Sequence, residues 1–153
     1  MQIALNLVLN TTLLLSICII FNLFYQKLHA QSILHRALGG VILGIAGIVI
    51  VTIAIRLPDN VIFDTRSILL SVSGLFYGVV PTAIAAVIAA LYRVYVGGPG
   101  MAVGIAVTLS SAAIGILWRA LRKNTERMRH IAFYLFGLLI HIVMMVFMLF
   151  LPA

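Results

Sequence analysis

The sequence predicts an all-α polytopic membrane protein, a transmembrane bundle of about six helical segments, and three observations carry that prediction. The first is composition. Of 153 residues, 64% are hydrophobic and 8% are charged, with a mean hydropathy of +1.25. No soluble domain of this length hides so much apolar surface. The second is pattern. The apolar runs are unbroken over helical lengths and do not alternate, as a membrane barrel would require. The third is the placement of charge. The basic residues lie in, or at the edges of, the short connections between apolar runs.

That placement also explains the net charge of +7. Positive-inside bias and lipid headgroups account for basic membrane loops. A nucleic-acid footprint would need a basic face outside them, and the sequence offers none. Cys18 is the only cysteine, which excludes an intrachain disulfide and a cysteine metal cluster. The first 24 residues lack a basic start, and their positive charge follows the apolar stretch, so they read as a retained helix and not a cleaved signal.

The first helix is predicted from about Ile3 to Phe24. A polar loop, Tyr25 to Arg36, holds Lys27, His29, His35 and Arg36. The second helix runs from about Ala37 to Ile55. Its glycines Gly39, Gly40, Gly44 and Gly47 stand at spacings that let backbones approach closely, which points to packing inside the bundle. The loop Arg56 to Arg66 carries Asp59 and Asp64. Ser67 to Tyr77 is too short to cross a hydrocarbon core of about 30 Å at 1.5 Å per residue. Pro81 opens a segment to about Tyr95, in keeping with proline in a first helical turn. Gly97-Gly98-Pro99-Gly100 is a stop. A helix follows from about Met101 to Trp118, then the most basic loop, Arg119 to His130, then a last helix from about Ile131 to Leu151.

Two topologies fit the stretch 67–95. It is a hairpin broken at Gly78-Val79-Val80-Pro81, or one long helix kinked at Pro81. Charge does not separate them. In the hairpin, Lys27, Arg36, Arg119, Arg122, Lys123, Arg127 and Arg129 share one side, and Arg56, Arg66 and Arg93 the other. In the kinked helix Lys27, Arg36 and Arg93 stand alone, and the split is the same, so the positive-inside rule accepts both. Arm length favours the hairpin. Arg66 precedes Pro81 by nearly as many residues as Arg93 follows it, so a fold at the break brings both arginines to one level. The break is apolar, as a turn buried in protein is. The hairpin puts the N-terminus, Arg66 and Arg93 outside and the most basic loop in the cytoplasm. It also leaves the C-terminus outside, so a cytoplasmic output domain would need one more crossing.

An arginine beside lipid is costly and calls for a reason. Two guanidiniums side by side grip a carboxylate with paired N–H donors, in a geometry that lysine does not reproduce. Arg66 and Arg93 are therefore the leading candidates for binding an anion, with Asp64 placed to steady Arg66. The competing reading is that both arginines snorkel to headgroups and mark helix ends. Pro99, Gly100 and Gly104 form the second candidate, because a helix start after glycines presents N–H groups and favours an anion. A tight turn is the plainer reading of the same residues. Thr108, Ser110 and Ser111 follow on that helix; hydroxyls there also bond their own backbone. Tyr77 and Tyr92 are candidate walls or interfacial anchors. His141 lies inside the last helix, as a packing residue or a proton site.

Enzyme chemistry finds no support. Asp59, Asp64 and Glu126 are the only acids, and no metalloprotease, nucleophile-elbow, phosphate-loop or dinucleotide motif occurs. Neither a cofactor nor a catalytic or metal site is expected.

Taken together, Asp64-Thr65-Arg66, the run SGLFYGVVPTAIAAVIAALYR ending at Arg93, and GGPGMAVG from 97 to 104 resemble the LytS/YhcK-type five-transmembrane receptor module. That module is the sensor of LytS-type histidine kinases and of some diguanylate cyclases. Its hallmarks are N-x-R at one helix start and P-G-x-x-x-G before another. Pro99 to Gly104 matches the second in full. Asp64 stands where the first has Asn, which adds a negative charge beside Arg66. The motif core spans about 64–118, within a single sensor domain over 1–153 and no soluble output domain. The resemblance implies Arg66 and Arg93 as ligand arginines. Some members of the type sense pyruvate and others report the state of the envelope.

The resulting expectation is the ligand-sensing module of a bacterial two-component kinase in the inner membrane. It would bind a small anionic metabolite, a carboxylate, from the outer side at Arg66, Arg93, Asp64, Pro99, Gly100, Gly104, Tyr92 and Thr108. A homodimer, membrane lipids and a kinase or cyclase output domain are the expected partners. The alternatives are the sensor of a diguanylate cyclase and a small-solute transport or capture protein, since broken helices also line transport sites.

Overall fold

A computed structural model describes residues 2–27, 32–52, 55–56, 62–63, 65–121 and 130–149. Among them are six helices: α1 Gln2–Lys27, α2 Ile33–Thr52, α3 Arg66–Tyr77, α4 Val79–Val96, α5 Met101–Leu121 and α6 His130–Met148. The all-α bundle predicted from the sequence is therefore what forms. Three helices, α2, α4 and α5, are long and apolar enough to cross a membrane, and α1 and α6 carry apolar stretches at Thr11–Asn22 and Ile131–Phe147.

Several boundaries differ from the predicted ones. Helix α2 begins four residues early, because Ser32 Oγ accepts from the Leu34 N–H at 3.3 Å and caps it. Helix α5 runs to Leu121 and takes Arg119 out of the predicted loop. Helix α2 ends at Thr52, and Ile55, predicted as its last residue, instead starts a short antiparallel ladder, β1 Ile55–Arg56 with β2 Ile62–Phe63 in the predicted loop, in which Ile55 opposes Phe63. Two-residue strands sit below what alternation can signal.

The stretch 67–95 is a hairpin. Ser73 Oγ and Thr82 Oγ1 lie 2.8 Å apart near the turn, and Arg66 Nη1 donates to the Ala89 carbonyl at 3.4 Å farther along the arms. In one continuous helix residues 23 apart would stand about 35 Å apart, at 1.5 Å each. The whole reversal is made at Gly78, with φ +89° and ψ −166°. That region is open in practice only to glycine. Pro81 then sits in the first turn of α4, where its missing N–H costs nothing.

Small residues set how the helices stack. A Cβ on Gly40 would lie 2.8 Å from the Pro81 carbonyl oxygen, and one on Gly44 2.7 Å from Ile88. These α2 glycines pack against α4 inside the bundle, as their spacing predicted. Helices α3 and α5 approach as closely. A Cβ on Gly74 would lie 2.7 Å from the Ile116 nitrogen, and one on Gly115 would collide with the Ser71 carbonyl. A main core of Leu14, Phe21, Leu43, Ile50, Leu69, Leu70 and the alanines of α4 joins α1 to α5. A second cluster, Leu75, Ala132, Phe136 and Ile140, seats α6.

The contacts fix which ends coincide. Helix α2 runs alongside α4 in the same direction, from Gly40 against Ile84 to Thr52 against Tyr92. Helix α3 runs alongside α5, from Ser71 at Gly115 to Leu75 at Arg119. Phe21 meets Tyr77 edge-on at 4.6 Å, which brings the end of α1 to the Gly78 turn. One end of the bundle thus gathers the Gly78 turn, the end of α1, the start of α2 and Arg119. The other gathers Arg66, Arg93 and the turn 97–100.

Candidate functional site

Arg93 stands in the last turn of α4 and is 2% exposed. Its Nη1 donates to the Gly97 carbonyl at 2.6 Å, while the Gly97 N–H returns to the Arg93 carbonyl at 3.1 Å. Gly97 takes φ +66°, ψ −151°, another conformation open in practice only to glycine. The reciprocal pair turns the chain sharply from α4 toward α5.

The guanidinium of Arg93 then lies along the first turns of α5. A Cβ on Gly100 would be 3.4 Å from Nη2, and one on Gly104 only 2.7 Å from Nε. The two glycines of the Pro99-Gly100…Gly104 motif therefore make room for one arginine. Thr108 continues the same face one turn on, fully buried, its hydroxyl donating to the Gly104 carbonyl at 2.7 Å. Gly100, Gly104 and Thr108 are four residues apart, which stacks them on one side of the helix.

Arg66 opens α3 and is 4% exposed. Its stem passes 4.0 Å from where a Gly47 Cβ would stand, and its Nη1 reaches the Ala89 carbonyl. Ala89 is one helical turn before Arg93. Arg66 thus reaches α4 one turn before the residue that bears the second guanidinium, Arg93, and both buried guanidiniums serve the same end of the bundle. Buried hydroxyls extend this interior: Ser71, Ser73, Thr82 and Ser111. So polar a seam in the middle of an apolar bundle marks where a polar partner is tolerated.

The remaining expected residues divide. Gly100 is buried and Pro99 is exposed on the turn. Tyr92 faces α2: its hydroxyl lies 3.2 Å from Thr52 Oγ1 and its ring 6.2 Å from that of Tyr95. It ties α2 to α4 at the arginine end. Tyr77, a candidate wall or interfacial anchor in the sequence, is no wall of this pocket: it is at the opposite end against Phe21, because the hairpin sends it there. Ser110 donates back to the Val107 carbonyl at 3.1 Å. Asp64 lies outside the described residues.

One arginine escaped the sequence reading. Arg119 Nη1 donates to the Leu75 and Phe76 carbonyls at 3.2 and 2.5 Å, and its guanidinium lies over Gly78. It satisfies the last carbonyls of α3, which a helix end leaves without partners. Only the sharp turn at Gly78 hinted that such a donor was needed.

The fold defines a multi-pass helical membrane protein. Within that class the chain belongs to the 5TM-5TMR_LYT family, described as the 5TMR of 5TMR-LYT, whose pattern matches residues 18–153. The family is a transmembrane sensor module of LytS-type signalling proteins and not a catalytic domain. The match extends well beyond the motif core on which the resemblance rested. No curated protein and no solved structure matches the chain.

Proposed function

We propose that this chain is the ligand-sensing module of a bacterial LytS-type sensor kinase of the inner membrane. It binds a small carboxylate from the outer side, between Arg66, Arg93 and the start of α5. The observation that carries the reading is the burial of two arginines, 4% and 2% exposed, with Arg93 borne on α4 one turn after the Ala89 carbonyl to which Arg66 donates from α3. Planar guanidiniums are suited to a carboxylate, and the first turn of α5 beside them favours negative charge. The ends of α1 and α5, from which the basic connections leave in the sequence, lie at the opposite end, which the positive-inside rule assigns to the cytoplasm. That leaves the arginine end facing out.

Sensing follows if ligand binds one arrangement of the hairpin and α5 better than another. An anion held by both arginines draws α3, α4 and the start of α5 together. Arg119 couples the far end of the hairpin to the end of α5, and Trp118 packs on Phe136 of α6 at 5.4 Å. Movement of the hairpin is thereby passed to the last two helices and on to an output domain.

The test is thermal stabilisation of the purified protein by acetate, lactate, succinate and citrate, with the matching amides and inorganic phosphate as controls. A bound carboxylate at a hundredfold excess over Kd adds about 2.7 kcal/mol. The expected result is a carboxylate-selective shift that disappears in Arg66→Ala and Arg93→Ala. A shift that both variants retain, or none with any acid, removes the paired-arginine site and returns both arginines to lipid contacts.

A further inference from the structure

A second polar feature lies outside the arginine seam. A cavity of ≈ 210 Å³ opens between α1, the start of α3 and α6. Its polar lining is Thr11, Thr65, Ser67 and His141, with Ile68 and Ile140 as an apolar strip. Thr11 and His141 are exposed at its mouth, Thr65 is half-buried and Ser67 is buried, so three hydroxyls and an imidazole line one opening in an otherwise apolar bundle.

Two of these residues are arranged for a ligand that the helices themselves do not supply. Ser67 is 4% exposed, and its hydroxyl points to Met144 Sδ at 3.7 Å. A thioether is a weak acceptor, so this buried hydroxyl gains from an oxygen partner in the cavity. His141 Nδ1 is held 2.8 Å from the Gly137 carbonyl, which leaves Nε2 as the ring's other polar atom. Thr65 and Ser67 flank Arg66 in the chain, yet the guanidinium goes to Ala89 on α4. The cavity and the arginine seam are therefore different sites on one helix start.

We propose that this cavity binds a small uncharged polyol. Among the described residues the polar lining combines donors and acceptors and holds neither a carboxylate nor a lysine or arginine. Hydroxyl groups both donate and accept, and a charged solute would lose more hydration than these groups return. The volume of ≈ 210 Å³ gives room for a short-chain polyol. The carbon skeleton lies on the Ile68 and Ile140 strip. Because the walls come from α1, α3 and α6, occupancy fixes the last helix against the start of the hairpin.

The probe is glycerol, followed by saturation-transfer NMR on the full chain in lipid nanodiscs. The expected result is a saturable glycerol signal. Thr11→Val, Ser67→Ala and His141→Leu each weaken it roughly tenfold, the loss of about one hydrogen bond. Arg93→Lys leaves it unchanged, which separates this site from the carboxylate site. Emission of Trp118, the only tryptophan, reports through its contact with Phe136 that each variant keeps α6 in place. A glycerol signal that fails to saturate, or one equally strong in all three variants, overturns the proposal. So does loss of the signal in Arg93→Lys alone.

Discussion

The two ends of the α3–α4 hairpin use the same chemistry for different purposes. At the turn, Arg119 reaches across from α5 to the Leu75 and Phe76 carbonyls and is itself exposed. At the open end, Arg66 and Arg93 also donate to backbone carbonyls, but both are buried. An exposed arginine on a helix C-terminus is a cap, and its charge stays in contact with solvent or headgroups. A buried pair bears a desolvation cost that an exposed cap does not. The glycines follow the same division. Gly78 is needed for its backbone angles, whereas Gly104 is needed because an arginine occupies the space of its side chain. One end is built to hold a turn, and the other to hold charge at depth.

Substitutions that treat the two ends alike break this contrast. The largest stability loss is expected at neither arginine but where the hairpin meets α5. Gly115→Ala drives a methyl into the Ser71 backbone, which cannot yield as a side chain can, and costs about 3 kcal/mol in chemical denaturation. Gly78→Ala comes next, at about 2 kcal/mol from backbone strain, with the arginine end left intact. Gly104→Ala costs less, about 1 kcal/mol, since the Arg93 stem can give way. It nevertheless displaces the guanidinium and lowers the carboxylate-induced thermal shift. Arg119→Ala removes the cap for about 1 kcal/mol and leaves that shift unchanged. Tyr92→Phe is smallest, about 0.5 kcal/mol for its contact with Thr52. If Gly78→Ala abolished the carboxylate response while Gly104→Ala spared it, the assignment of roles to the two ends would be reversed.

Much of this arrangement is legible in the sequence because it is local. Gly78 and Pro81 mark the break, and arms of matched length bring Arg66 and Arg93 to one end. The spacing Gly100, Gly104, Thr108 sets one face of α5, and α2's glycines read directly as packing sites. What the sequence hides depends on register between distant elements. Gly74 and Gly115 look like ordinary helix glycines until α3 and α5 are laid side by side. Arg119 reads as one more loop cation until α5 is extended past it. Tyr77 looks like a neighbour of the arginines only while the direction of its helix is left out. The cavity at Ser67 and His141 joins residues more than seventy positions apart, so no window of sequence contains it.

The most direct test is the affinity for the most stabilising carboxylate of the panel, measured side by side for the native chain and for Arg66→Lys, Arg93→Lys and Arg119→Lys. Lysine keeps the charge and loses the planar fork. If the buried pair holds the ligand, the first two variants bind at least roughly tenfold more weakly and the third binds as the native chain does. Equal affinity in all four proteins, or a loss confined to Arg119→Lys, contradicts the division of the hairpin into a binding end and a structural end.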